Sequence, residues 1–307
     1  MTSTRLRAGV VGAGVFGGYH AGQYARIDGV ALAAVYDPHA GRAEALAAKH
    51  GARAVERLDE LWALVDVATI ASPATAHSDE ALAGLDAGVP LYVEKPVATT
   101  LEAADRIVAL AAEKRLVCAC GFLERAGLAE MGLFDAPEPP LMLEAVRCGE
   151  PSERNLDVSV IIDLMIHDLD LALALSPAQP VAVEAEGAMT AHDSFDVVEA
   201  EANFDDGFIA RFRASRVAAA RERRMRIVYP SGEVKVDFIT HAFSNTTPFP
   251  LDPAWHATPS GKDKLGASVE RFLAAARGDA PRPYADVADG ARALDLALAV
   301  EQAAWGG

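Results

Sequence analysis

The feature that most constrains this chain is a regular alternation of short apolar runs and helical segments over its first 122 residues, opened by a glycine-spaced turn. Leu6 to Val11 reads as a strand ending in glycines, and Val15 to Ile27 as a helix. Val30 to Tyr36 is the next strand, stopped by Asp37-Pro38, and His39 to His50 is an amphipathic helix. The pattern continues with a strand at Val65 to Ala71, a helix at Ala76 to Ala87, a strand at Val89 to Val93, a helix at Leu101 to Lys114 and a strand at Leu116 to Phe122. Near-continuous apolar strands alternating with helices predict the α/β class: a parallel, doubly wound sheet.

The turn after the first strand is Gly12-Ala13-Gly14-Val15-Phe16-Gly17. A lone G-x-G-x-x-G is weak in an Ala- and Gly-rich chain, so its context decides. It follows a strand and opens a helix. Gly12 suits the tight turn, Gly14 a close backbone approach to a pyrophosphate, and Gly17 the packing of helix on strand. The pyrophosphate sits on the unpaired N–H groups of the helix start, at Val15 and Phe16. Asp37 ends the second strand twenty residues past Gly17. A carboxylate there accepts hydrogen bonds from ribose hydroxyls and repels a 2′-phosphate, which predicts NAD over NADP. Arg42 is the one nearby group that favours NADP. A glycine turn with no ligand would not need the acid at that spacing.

After Phe122 the grammar changes. Ala136 to Pro140 is a loop, Leu141 to Cys148 a strand, and Asp157 to Leu175 a very apolar helix. Strands follow at Val181 to Ala188, Val197 to Phe204, Phe208 to Ala214, Met225 to Tyr229 and Val234 to Phe238. Asp206-Gly207 and Ser231-Gly232 sit at hairpin turns. This predicts a second, α+β domain with a largely antiparallel open sheet. The expected division is 1–122 for dinucleotide binding and 123–307 for substrate binding and oligomerisation. Two helices, Lys264 to Ala276 and Val287 to Ala304, close the chain, and the last is expected to pack back on the first domain.

Two features carry candidate chemistry. Glu94-Lys95-Pro96 ends a strand of the parallel sheet, where open α/β sheets bind ligands. Alone it reads equally as a solvated loop. The apolar helix carries Asp163, His167 and Asp170 at i, i+4 and i+7, a polar stripe on one face. Buried ionisable groups are costly unless paired or wet, so the stripe points to a cavity. His167 oriented by Asp163 can serve as a general base. A shared metal ion and a satisfied core histidine are the alternatives.

Composition narrows the partners. Of 307 residues, 51% are hydrophobic and 23% charged, which excludes a disordered chain. The net charge of −16 argues against nucleic acid or an anionic membrane as partner. Three cysteines give no disulfide framework, and Cys118 and Cys120 lack the further ligands of a zinc site, so no metal is expected. The short polar N-terminus lacks the apolar core of a signal peptide, and no apolar run reaches the ~18 residues of a membrane span. The expectation is a soluble, cytoplasmic protein.

Taken together, the Gly12–Gly17 loop with His20 behind it, Ala71-Ser72-Pro73-Ala74-Thr75-Ala76-His77, Glu94-Lys95-Pro96, Asp163-Leu164-Met165-Ile166-His167-Asp168 and the Gly278 to Pro283 joint resemble the glucose–fructose oxidoreductase / inositol dehydrogenase / MocA family. The resemblance covers nearly the whole chain. It implies an NAD(P)-dependent oxidoreductase acting on a CH–OH group of a sugar or nucleotide sugar. It implies that Lys95, Asp163 and His167 form the catalytic group, and that Ser72, Pro73, His77 and Glu94, with Lys95, line the cofactor. It also implies a homodimer or homotetramer. The run from Asp157 to Asp170, with Ser215-Arg216-Val217 and Arg224-Met225-Arg226-Ile227, is most similar to members that oxidise the 3-hydroxyl of UDP-N-acetylglucosamine. An inositol or monosaccharide dehydrogenase is the alternative enzyme, and a non-catalytic NAD-dependent sensor the alternative class. A UDP-sugar needs cations near its pyrophosphate, for which Arg125, Arg154 and Arg216 are the candidates.

Overall fold

The computed structural model describes residues 5–152 and 158–306. It divides into two compact units. One holds the chain up to Ala126 together with Asp263–Ala291, and the other holds Gly127–Lys262 and the chain from Arg292.

In the first unit, strand and helix alternate as β1 (Leu6–Val11), α1 (Val15–Arg26), β2 (Val30–Tyr36), α2 (Ala40–His50), β3 (Arg53–Val55), α3 (Leu58–Leu64), β4 (Val67–Ile70), α4 (Ala74–Asp86), β5 (Leu91–Val93), α5 (Leu101–Lys114) and β6 (Cys118–Cys120). All six strands pair parallel in the order β3-β2-β1-β4-β5-β6. The order reverses between β1 and β4, and ligands of such sheets bind beyond the strand ends at that switch point. This is the doubly wound sheet expected. The stretch between His50 and Val65 carries β3 and α3, which the sequence reading left unassigned. A three-residue strand and a seven-residue helix are too short to show a period. Helix ends follow local chemistry. Thr100 caps α5 by accepting the N–H of Ala103, and Arg115 ends it with φ 55 in the left-handed region.

In chain order there follow α6 (Glu124–Met131), β7 (Met142–Cys148), a π-helical turn at Ile161–Met165 and α7 (Ile166–Leu175). Then come β8 (Pro180–Ala188), β9 (Val197–Phe204), β10 (Ile209–Ser215), β11 (Glu222–Tyr229), β12 (Gly232–Asp237), β13 (Phe243–Asn245) and the short α8 (Pro259–Lys262). The strands form one sheet in the order β13-β12-β11-β7-β10-β9-β8. Only β7 and β10 pair parallel; every other neighbour is antiparallel. Burial alternates along the strands. Leu143, Ala145, Val198, Ala200, Ala210, Phe212, Met225 and Ile227 face inward. The other face carries ion pairs such as Arg211–Glu201 and Arg226 between Glu144 and Glu233.

One expectation is corrected here. The segment ending at Leu175 is not a single α-helix: Ile161–Met165 winds as a π-helix before α7 begins, and Asp157 lies outside the described residues. A π turn takes one more residue per hydrogen-bonded ring, so hydrophobic spacing alone does not distinguish it from α.

The chain then returns to the first unit with α9 (Lys264–Arg277), and α10 (Val287–Gly306) ends it. Asp263 caps α9 by accepting the N–H of Gly266 at 2.8 Å, and Gly278 (φ 80) ends it. The buried face of α9, Val269, Phe272 and Leu273, joins Val10, Tyr24, Leu32 and Tyr92 in one core. Tyr92 and Phe272 meet edge to face at 5.8 Å. No helix among the described residues is long and apolar enough to cross a membrane.

Candidate active site

The glycine loop has the geometry of a dinucleotide cradle. Gly12 has φ +90, and a Cβ there would lie 2.5 Å from the backbone nitrogen of Ser72. A Cβ on Gly17 would strike the carbonyl oxygen of Gly12 at 1.8 Å. Both glycines are therefore demanded by the protein itself. Gly14 is different, because a Cβ there would meet nothing within 4 Å. Nothing in the chain itself therefore excludes a side chain there, and the space over this end of the loop is open. Gly14 starts α1 without any side-chain cap, and Val15 and Phe16 are 56% and 50% exposed. The N–H groups of the first turn are thus open to an anion.

Asp37 is buried beside this loop. Its Oδ2 accepts the Ala13 N–H and its Oδ1 the His39 N–H, both at 2.8 Å. The acid at the end of β2 therefore fixes the loop and keeps a lone pair on each oxygen for ribose hydroxyls. Arg42 is exposed on the first turn of α2. The open helix start, the vacant space over Gly14 and the acid together fit NAD.

Two buried histidines brace the neighbouring strand ends. His77, 1% exposed, sets Nδ1 2.7 Å from the Pro96 carbonyl oxygen and Nε2 2.9 Å from that of Ser72. A neutral ring donates to one of the two carbonyls. Burial holds its pKa below the ordinary histidine value, outweighing the raising effect of the Pro96 and Ser72 carbonyls and of the Glu94 charge. The ring ties the loop after β4, with Ser72 and Pro73, to the loop after β5, with Lys95 and Pro96. His20, fully buried, holds Glu94: its Nε2 lies 2.8 Å from Glu94 Oε1. Its Nδ1 lies 3.2 Å from the Thr69 hydroxyl, which meets the Tyr24 hydroxyl at 2.7 Å. A single neutral tautomer satisfies this chain, with each hydroxyl or N–H donating toward the Glu94 carboxylate. Gly121 leaves room for this arrangement, since a Cβ there would come within 2.6 Å of Glu94 Oε2 and push the carboxylate from its place. Pro73 is exposed and Lys95 half-buried.

In the second unit, Asp163 lies in the π turn and His167 in the first turn of α7, both half-buried, while Asp170 is fully buried. π turns inside helices recur at functional sites. The residue after His167 proves structural. Arg147 of β7 grips Asp168 through two bonds, Nε to Oδ2 and Nη2 to Oδ1, each 2.8 Å. Both side chains are more than nine-tenths buried. A second buried pair fixes the segment leading into the π turn. Arg216 donates from Nε to Asp196 Oδ1 and from Nη1 to the Val158 carbonyl. Burial alone would raise the Asp196 pKa, but bonds from His192, Ala191, Arg216 and Thr190 hold it far below the carboxylate range.

These contacts answer the question of the arginines. Arg216 is committed to Asp196, and buried Arg125 pairs with Asp289 at 3.0 Å and bonds the Tyr284 carbonyl. Arg154 lies outside the described residues. Among the described residues, no group of three His, Cys, Asp or Glu is placed to hold a metal ion, and the three cysteines are buried and not in disulfides.

The sequence reading did not single out Arg147, Asp196 or Glu80 of α4. Arg147 had a signal: it shares the inward phase of β7 with Leu143 and Ala145. An arginine at a core position of a strand requires a buried acid.

The fold and the glycine cradle define a dinucleotide-dependent oxidoreductase scaffold, and comparison with known proteins agrees. Residues 6–122 match the oxidoreductase family with an NAD-binding Rossmann fold, and residues 145–235 match the GFO/IDH/MocA C-terminal domain. The chain is 38% identical over 306 residues to the UDP-N-acetylglucosamine 3-dehydrogenase of Acidithiobacillus ferrooxidans, covering 97% of each. A solved structure of that enzyme superposes with a TM-score of 0.87 at 36% identity, again over 97% of both chains. An inositol 2-dehydrogenase of Cereibacter sphaeroides is 34% identical over 175 residues, 54% of this chain and 52% of its own. The WlbA dehydrogenase of Bordetella pertussis, solved with NADH and UDP-GlcNAcA, shares the fold at 20% identity and a TM-score of 0.88, covering 100% of this chain and 97% of its own. The chain belongs to the Gfo/Idh/MocA family of oxidoreductases and carries its NAD-binding Rossmann domain.

Proposed function

We propose that this protein is an NAD-dependent dehydrogenase that oxidises the 3-hydroxyl of UDP-N-acetylglucosamine or a closely similar nucleotide sugar. The observation that carries the substrate is the 38% identity to such an enzyme over 97% of both chains, second unit included. Inositol 2-dehydrogenases similar to this chain in sequence match 54–60% of it. The division of labour we propose is 1–122 for the dinucleotide and 123–307 for substrate and assembly.

NAD, when bound, supplies the two-electron acceptor. The chain supplies position and proton chemistry. His167 accepts the proton of the substrate hydroxyl on an imidazole nitrogen. Asp163 supports the imidazolium so formed. The Lys95 ammonium donates to the same oxygen and stabilises its developing negative charge. The His20–Glu94 and His77 braces hold the strand end from which Lys95 projects. The exposed, charged face of the seven-stranded sheet suits assembly into a homodimer or homotetramer, and buried cysteines without disulfides suit the reducing cytoplasm.

The deciding experiment measures NADH formation with UDP-N-acetylglucosamine, other UDP-sugars, inositols and free aldoses. Turnover confined to inositols would replace this reading with the cyclitol one. Tight NAD binding with no turnover on any of them would make the protein a sensor.

The same site predicts cofactor choice. Asp37 places a carboxylate where a 2′-phosphate would lie, a repulsion that gives NADH a preference of ~100-fold or more over NADPH. Fluorescence titration of both reduced cofactors checks it. Comparable affinities would shift the assignment to Arg42.

A further inference from the structure

Glu80 lies on α4, three residues past His77, and is only 8% exposed. Its Oε2 accepts the Ser72 hydroxyl. Ser72 in turn lies against the first glycine, its backbone nitrogen 2.5 Å from where a Gly12 Cβ would stand. On the other side of that turn, Asp37 accepts the Ala13 N–H at 2.8 Å. Asp37 comes from the end of β2 and Glu80 from α4, and the two carboxylates flank the Gly12–Ala13 turn. Burial raises the Glu80 pKa, the Ser72 hydroxyl opposes it, and the charges of Asp37 and then Asp79 raise it further. Neither Asp37 nor Glu80 has a cation within ion-pair distance among the described residues.

A carboxylate so deeply buried with a lone hydroxyl donor is an expense to folding. The Ser72 bond alone does not account for it, because a glutamine of the same size would hold that hydroxyl without the buried charge. The charge therefore serves something that approaches the glycine loop. Resting on the NAD reading of this loop, we propose that Glu80 is a second specificity-determining acid, which acts with Asp37 to repel a phosphate on the adenosine half of the dinucleotide. Glu80, held by Ser72 on α4, adds a second acid to that wall.

The experiment titrates NADH and NADPH by fluorescence against the full-length protein and its Glu80→Gln and Ser72→Ala variants. Glu80→Gln keeps the size and the Ser72 contact and removes a penalised charge, so it is expected to fold at least as stably as the parent. The expected result is a ~5- to 10-fold gain of NADPH relative to NADH in Glu80→Gln, about 1 kcal/mol. Ser72→Ala frees Glu80 without removing it, so it should shift that ratio in the same direction by less than Glu80→Gln does. An unchanged ratio in Glu80→Gln, or equal loss of both cofactors in the two variants, would overturn the proposal and leave Glu80 a support for Ser72. Absence of NADH binding to the parent protein would instead remove the NAD reading itself.

Discussion

His167→Ala is expected to lower kcat on the authentic substrate by ~10²- to 10⁴-fold, the usual worth of a general base. The protein should stay folded, because His167 is half-buried and the helix that carries it is anchored by its neighbour, Asp168. NADH affinity should stay near the parent value, since the cradle is made by Gly12 to Gly17 and Asp37 in the other unit. The acidic limb of the pH–rate profile should disappear, because that limb reports protonation of the base. Lys95→Met should cost as much or more. It keeps the bulk and loses the positive charge beside the forming alkoxide. A stopped-flow assay of NADH formation with saturating cofactor separates these effects from binding. Parent-level turnover in His167→Ala would remove it from the mechanism and leave the π turn and its aspartate without a chemical role.

The contrast between the two units shows where a sequence speaks clearly. Leu6–Val11, Val30–Tyr36 and Leu101–Lys114 are visible because a parallel strand is apolar on both faces and a covering helix is apolar on one. The glycine loop is visible because Gly12 and Gly17 are forced by contacts shorter than any Cβ allows. Gly14 and Asp37 are visible through their spacing from Gly12 and from the end of β2, although Asp37 also braces the loop by accepting the Ala13 and His39 N–H groups. The legible part ends where partners are distant in the chain. Nothing near Asp168 in sequence names Arg147 as its partner, and nothing near Asp196 names Arg216. Arg216 illustrates the hazard: as a lone arginine it suggests a phosphate ligand, but the fold spends its charge on a buried aspartate. The π turn is equally silent, since Ile161, Ile162, Leu164 and Met165 satisfy an α-helical period and a wider one alike.

Arg147→Met should be the most damaging substitution to the second unit. Arg147 and Asp168 form a two-pronged pair, each bond 2.8 Å, with side chains 4% and 7% exposed. Such a pair adds little net stability over a well-packed apolar replacement, but removing one partner strands the other charge in the core. The expected cost is about 3–5 kcal/mol, which for a unit of this size lowers Tm by roughly 6–20 °C. Asp168→Asn should cost similarly, because it removes the carboxylate charge that faces the buried guanidinium. The double variant Arg147→Met/Asp168→Leu should recover much of the loss, because no charge is then left buried. Activity adds a second readout. Arg147 is on the central strand β7 and Asp168 adjoins His167, so the pair sets where His167 stands relative to the sheet. Below its melting point Arg147→Met should show a reduced kcat with unchanged NADH affinity. A melting point within about 1 °C of the parent, by calorimetry, would mean that α7 is held by its apolar face alone. In that case Leu169, Leu171 and Leu173, all buried, would carry the anchoring instead.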